Sequence, residues 1–237
     1  MLEFLSVINW TAVGQIILID ILLGGDNAVV IALACRNLPA KQRTKGILWG
    51  TLGAIILRVA LIAFAVTMLK IPYLKIVGGV LLFWIGVKLL SGEDGEHTVG
   101  GADTLWTAVK TIIIADLVMS LDNVIAIAGA AQNTPGEHQM AYVIFGLLVS
   151  IPLIVWGSTL VLKLIDRFPL VVTAGAALLG WIAGGMIVTD IAWTQQFGVA
   201  STTVKLAAEI GGAVFVAALG SYLGKRNAAK KTAGSTA

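Results

Sequence analysis

The sequence predicts an all-α polytopic membrane protein. It has seven transmembrane helices, arranged as two inverted three-helix repeats plus one extra helix. Three observations predict this. Of 237 residues, 58% are hydrophobic and 12% charged, against roughly 45–50% and about 25% in soluble domains. Seven stretches are apolar enough and long enough to cross a bilayer, which takes about 20 residues each. A polar motif inside the first stretch recurs inside the fourth.

The bulk numbers exclude several classes. Mean hydropathy is +0.94. A soluble fold of this size could not hide so much apolar surface, since even a domain of about 300 residues buries only ~75% of what its unfolded chain exposes. The net charge of +3 comes from short scattered clusters rather than a basic stripe, so no nucleic-acid partner is expected. The one cysteine, Cys35, cannot form an intramolecular disulfide. Met1-Leu2-Glu3-Phe4 carries no positive n-region, so the first apolar run is expected to stay in the mature protein.

The seven spans are expected near 10–33, 46–69, 75–91, 105–131, 140–163, 169–193 and 203–223. A basic loop from Arg36 to Arg43 follows the first, and Ile71-Pro72-Tyr73 is a tight turn. Gln132 to Gly136 and Arg167-Phe168-Pro169 mark further breaks. The organisation is then a first repeat over 1–91, an acidic Gly-rich cytoplasmic linker over 92–104 and a second repeat over 105–194. A seventh helix over 195–224 and a basic disordered tail over 225–237 complete it. The seventh helix reads as a structural addition or an oligomer contact.

Orientation follows from Lys and Arg. Arg36/Lys41/Arg43/Lys45, Lys163/Arg167 and Lys225/Arg226/Lys230/Lys231 fall on one side of a seven-span chain. Lys70, Lys75 and Lys205 fall on the other. The positive-inside rule places the N-terminus outside and the C-terminus in the cytoplasm. With no signal or transit peptide, a bacterial inner (plasma) membrane is expected.

The repeat is a self-match. Asp20 to Ala32 and Asp116 to Ala128 both read D-x5-D-N-x3-I-A. Gly78, Leu81, Leu82, Trp84 and Ile85 align with Gly175, Leu178, Leu179, Trp181 and Ile182 at nearly the same offset. Each repeat holds three spans, and an odd number inverts the second relative to the first. Inverted repeats of this kind are a transporter signature.

Asp20, Asp26, Asp116 and Asp122 are the candidate site. A charge at the centre of a span costs ~2.5–3.5 kcal/mol on insertion scales, so such residues are functional by default. One arginine in a span, Arg58, cannot neutralise four carboxylates. It reads either as a structural counter-ion or as the group that holds an empty site neutral. On one straight helix, Asp26 lies ~100° round from Asn27 and about 9 Å along the axis from Asp20. One helix cannot close both carboxylates on one ion. Either Gly24-Gly25 unwinds helix one beside Asp26, or a pseudo-two-fold axis brings Asp26-Asn27 against Asp122-Asn123. The second route is favoured, and the two can coexist.

Carboxylate and amide oxygens suit hard cations such as Mg²⁺, Ca²⁺ and Mn²⁺. Zn²⁺ or Cu⁺ would want His or Cys, and His97 and His138 are expected in loops. Met119, one turn from Asp116, could add a thioether, though packing is its expected role. Four aspartates with Arg58 leave −3 and one divalent ion leaves −1, which leaves room for proton coupling. Lys88 is expected to snorkel from the end of helix three. Lys205 and Glu209 are i,i+4 and expected to pair, which leaves Glu209 outside the site. Asp190, near a helix end, is expected to be solvated.

Gly24-Gly25-Asp26-Asn27-Ala28 and Ser120-Leu121-Asp122-Asn123-Val124 resemble the motifs of the TerC family of integral membrane proteins. The resemblance runs through all seven spans and looks most like the family's YjbE-type branch. It implies kinship with the LysE-like exporter superfamily and export of a divalent metal, chiefly Mn²⁺. It also implies metal roles for Asp20, Asp26, Asp116 and Asp122, with Asn27 and Asn123 beside them. The family name derives from tellurium resistance, but the aspartates would repel a tellurium oxyanion.

Alternating access around a midplane site is therefore the leading reading. No enzymatic activity and no tightly bound cofactor are expected; the metal is cargo. An intramembrane aspartyl protease would need Gly where Leu23 stands, and its second motif does not fit Ser120-Leu121-Asp122. A non-transporting partner in metal delivery or protein insertion is the alternative.

Overall fold

The computed structural model describes residues 10–68, 71–92, 101–132 and 139–234. Within its helices the surroundings of some residues lie outside the described set, those of Gly24, Gly25 and the Asp122 side chain among them. The described residues form eight helices and no strand. They are α1 (Trp10–Cys35), α2 (Ala40–Met68), α3 (Leu74–Ser91), α4 (Gly101–Gln132), α5 (Gln139–Arg167), α6 (Leu170–Val188), α7 (Ile191–Phe197) and α8 (Thr202–Gly234).

Six described segments are long and apolar enough to cross a membrane: Ala40–Ile62, Leu74–Ser91, Thr104–Leu121, Val143–Arg167, Leu170–Val188 and Thr202–Ala229. A shorter apolar stretch, Asp26–Cys35, belongs to α1. The distribution of side chains is that of a bundle solvated by lipid. Trp49, Ile56, Phe64, Trp156, Leu160 and Val214 are exposed, while Asp20, Arg58, Asp116, Ser120 and Ser150 are buried. Hydroxyls turn back on their own helices instead of seeking water. Ser158, Thr159 and Thr189 donate to the carbonyls of Ile154, Val155 and Gly185 at 2.7, 2.8 and 2.9 Å. In hydrocarbon no water is present to satisfy them.

Packing follows small residues. The most extensive contacts pair α6 with α8, α2 with α4, α1 with α5, and α3 with α6; α1 also lies against α4. At the α6–α8 crossing, a Cβ on Gly180 would meet the Gly212 carbonyl, and one on Gly184 the Ala208 carbonyl. Gly180/Gly184 and Ala208/Gly212 are therefore two small-x3-small pairs that let the backbones touch. A Cβ on Gly50 would strike Ile112, so α2 and α4 fit by the same device.

One end of the bundle is latched by basic residues. Arg43 pairs with Asp166 at 2.8 Å and donates to the Leu38 and Arg36 carbonyls at 3.2 and 2.9 Å. Arg36 donates to the Leu89 carbonyl at 2.6 Å. The ends of α1, α2, α3 and α5 are thereby gathered together.

Four expectations change. Helix α1 runs unbroken through Gly24-Gly25, so these glycines do not unwind it. Their helical hydrogen bonds are kept because lipid supplies no replacement. Helix α4 starts at Gly101, inside the expected 92–104 linker. The sixth span ends at Val188 rather than 193, and α7 follows separately. The break is Asp190, whose carboxylate accepts from Ala192 N at 2.6 Å and caps α7. The tail from 225 is helical through Gly234 rather than disordered. Its Ala- and Lys-rich sequence propagates a helix that is already nucleated.

Candidate functional site

Arg58 joins the two sequence repeats. It projects from α2 and is 2% exposed. Its Nη1 donates to Asp20 Oδ1 on α1, and its Nη2 donates to Asp116 Oδ1 on α4. Its Nε donates to Ser120 Oγ at 3.1 Å, and Ser120 donates in turn to Asp116 Oδ2 at 3.2 Å. Ser150 Oγ on α5 lies between Asp20 Oδ2 and the Leu147 carbonyl. The first aspartate of each motif is therefore held by one guanidinium and one serine. Asp20 and Asp116 are equivalent in sequence, and a single cation unites them.

Ser150 was not legible as a partner. Its contact with Asp20 spans 130 positions. The serine is one of few polar residues in α5, and it lies two residues before Pro152, which interrupts that helix's hydrogen-bond ladder.

The second half of the first motif is different. Five buried side-chain atoms among the described residues lack a hydrogen-bond partner, and three belong to Asp26 and Asn27: Asp26 Oδ1, Asn27 Oδ1 and Asn27 Nδ2. Asn27 is 3% exposed. A buried amide with neither end satisfied is costly, and such groups are what a ligand completes.

Asp26 lines a cavity of about 570 Å³. Met119 and Asn123 of α4 share its wall with Trp181, Met186 and Thr189 of the α6 end. Lys75 at the start of α3 and Lys205 and Glu209 at the start of α8 complete it. These last groups sit at the end of the bundle away from the Arg36/Arg43 latch, so the cavity runs inward from that end to Asp26.

The structure thus brings Asp26 and Asn123 to one cavity, with Met119 beside them; Asn27 is buried next to Asp26 but is not among the residues lining it. It gives Asp20 and Asp116 to Arg58. Gly24 and Gly25 lie on the same helix as Asp26, and the Asp122 side chain is outside the described residues. Among the described residues no three His, Cys, Asp or Glu side chains converge as a metal cage. A cation held here would draw on the Asp26 carboxylate, the Asn123 amide and the Met119 thioether.

Two residues depart from the sequence reading. Asp190 is 1% exposed, not solvated. Its carboxylate accepts from Tyr73 N and Lys75 N at 2.9 Å and Ile76 N at 3.3 Å. It caps the start of α3 as well as α7, because Tyr73, at φ 68, supplies no cap of its own. Lys205 and Glu209 do pair, at 3.8 Å, yet Glu209 also lines the cavity.

Comparison with known proteins agrees with the family motif. The chain is 46% identical over 172 residues to the uncharacterized membrane protein YjbE of Bacillus subtilis (strain 168), covering 73% of this chain and 77% of that one. It is 26% identical over 186 residues to the uncharacterized membrane protein YceF of the same organism, covering 74% of this chain and 70% of YceF. It is also 31% identical over 160 residues to the UPF0053 inner membrane protein YoaE of Escherichia coli (strain K12), covering 59% of this chain but only 30% of YoaE. No solved structure matches. Residues 5–228 match the Integral membrane protein TerC family, and the chain belongs to that family.

Proposed function

We propose that this protein is a membrane transporter that exports a divalent cation, manganese foremost, by alternating access through Asp26, Asn27, Asp122 and Asn123. The observation that carries the reading is the cavity from one end of the bundle to Asp26, whose Oδ1 lacks a partner, as do both ends of the neighbouring Asn27 amide. Such groups are expensive inside a membrane and mark ion pathways.

Packing supports a two-fold reading of seven spans, with α1 as the first and α8 as the last. If α1, α2 and α3 correspond to α4, α5 and α6, the α1–α5 and α2–α4 contacts interchange, while α1–α4 and α3–α6 map onto themselves. All four are among the main contacts. The Arg36/Arg43 latch lies at the expected cytoplasmic end, so the cavity opens outward. Arg58 is then a resident cation that keeps Asp20 and Asp116 from competing for the cargo. Export, rather than import, rests on the family resemblance.

The test is Mn²⁺ flux in liposomes for the native chain, Asp26→Asn and Asp122→Asn. Strong loss of flux in both variants is expected. Undiminished flux in both would overturn the proposed site. Absent flux in the native chain would overturn transport and favour a partner role in metal delivery or protein insertion.

A further inference from the structure

We infer that Glu209 is a second cation ligand in the same cavity, an outer station between Asp26 and the mouth, which Lys205 occupies when no cargo is present. The inference rests on the transport reading for its physiological meaning.

Glu209 comes from the helix outside the sequence repeat, so the repeat motif does not announce it. Its side chain is 14% exposed while that of Lys205 is 51% exposed. The carboxylate points inward and the ammonium stands at the rim. Their 3.8 Å separation is an ion pair without a hydrogen bond, so the lysine holds the carboxylate loosely and can yield it.

The surroundings are shaped for the acid. A Cβ on Gly185 would lie 3.0 Å from Glu209 Oε1, and the α8 backbone at Ala208 rests on Gly184. The same glycine face that lets α6 and α8 touch leaves room for this carboxylate. Asp26, Asn123, Met119, Met186, Thr189 and Lys75 line the same cavity, and Asp26 lies mid-way along α1 whereas Glu209 lies two turns from the start of α8. Two acidic groups on one path provide successive sites. A pathway needs binding strong enough to admit an ion but divided enough to release it.

The experiment measures Mn²⁺ binding to the purified full chain by calorimetry, beside Mn²⁺ flux in liposomes. It uses native protein, Glu209→Gln, Glu209→Asp and Lys205→Met. Glu209→Gln keeps the volume above Gly185 and should weaken Mn²⁺ binding at least about tenfold, since loss of even an outer-shell partner of a ligand costs about 10–100-fold. Glu209→Asp should recover part of the loss. Lys205→Met should tighten binding several-fold, because the competing ammonium is gone. A merely structural ion pair would instead lower the melting temperature in both Glu209→Gln and Lys205→Met and move binding the same way in each. Native affinity in both Glu209→Gln and Lys205→Met would overturn the inference. Native flux with that result would leave the transport reading standing. Glu209-dependent binding without native flux would support the outer station and overturn transport.

Discussion

Gly180 of α6 and Gly212 of α8 occupy one crossing point, where a Cβ on either would fall on the other's carbonyl oxygen. The contact is backbone on backbone, so no rotamer change can relieve an added side chain. Gly180→Leu should destabilise the bundle by about 3 kcal/mol, the upper end of overpacking costs. On α8, beside Gly212, a Cβ on Gly211 meets nothing within 4 Å, so Gly211→Ala is the control. It should be neutral or stabilising by up to ~1 kcal/mol through helix propensity. Thermal unfolding in detergent compares the two, and equal melting temperatures would refute the crossing.

Arg58 is the sole cation contacting both Asp20 and Asp116 among the described residues. Arg58→Met leaves two buried carboxylates uncompensated and should cost about 3–5 kcal/mol. The triple variant Asp20→Asn/Asp116→Asn/Arg58→Met removes the charges together and should recover most of that loss. By contrast, Asp166→Asn breaks only the ion pair with Arg43, whose acid is exposed, and should cost at most ~1 kcal/mol. Chemical denaturation of all three checks the order, which reverses if the Arg58 cluster is not a unit.

Asp190→Ala uncaps two helices at once, leaving the N–H groups of Tyr73, Lys75, Ile76 and Ala192 unsatisfied. A loss of about 2 kcal/mol is expected, the upper end for one capping residue. Hydrogen exchange should rise at residues 73–76 and near 192, while the latch around Arg43 stays protected. Unchanged exchange at 73–76 would exclude the cross-cap.

Cys35 is fully buried, and a Cβ on Gly46 would lie 2.9 Å from its Sγ. In folded protein it should resist maleimide, and in detergent-unfolded protein it should react fully. Mass spectrometry reads the difference. Gly46→Ala should open the site and speed labelling, and rapid labelling of the native chain would contradict the packing of α1 on α2.

The span positions were legible because lipid leaves one strong signal, continuous apolarity. Helices α2 to α6 and α8 stand close to where hydropathy puts them. The pairing of Asp20 and Asp116 was not legible, since Arg58 reaches them across 38 and 58 positions. Spacing carries no information about which helices meet. Glu209 was hidden by a correct reading: its pairing with Lys205 is real and gave no hint of the cavity behind it. Asp190 was misread because a polar residue at a helix end looks solvated, while the uncapped Tyr73 that recruits it lies 117 positions away. The α6–α8 seam could have been found, because Gly180 and Gly184 sit four apart in an apolar helix.

Helix α8 is 33 residues long, about 50 Å at 1.5 Å per residue, against a hydrocarbon layer of about 30 Å. Its last turns, with Lys225, Arg226, Lys230 and Lys231, must then stand clear of that layer. A stiff basic rod samples a narrow band of depths where a loose tail would sample many. In the proposed orientation that band lies at the cytoplasmic face and holds anionic headgroups, each nearby Lys or Arg contributing ~1 kcal/mol. In that orientation the helix that carries Glu209 ends as a depth gauge, tying the depth of the cavity at its first turns to the headgroups at its last.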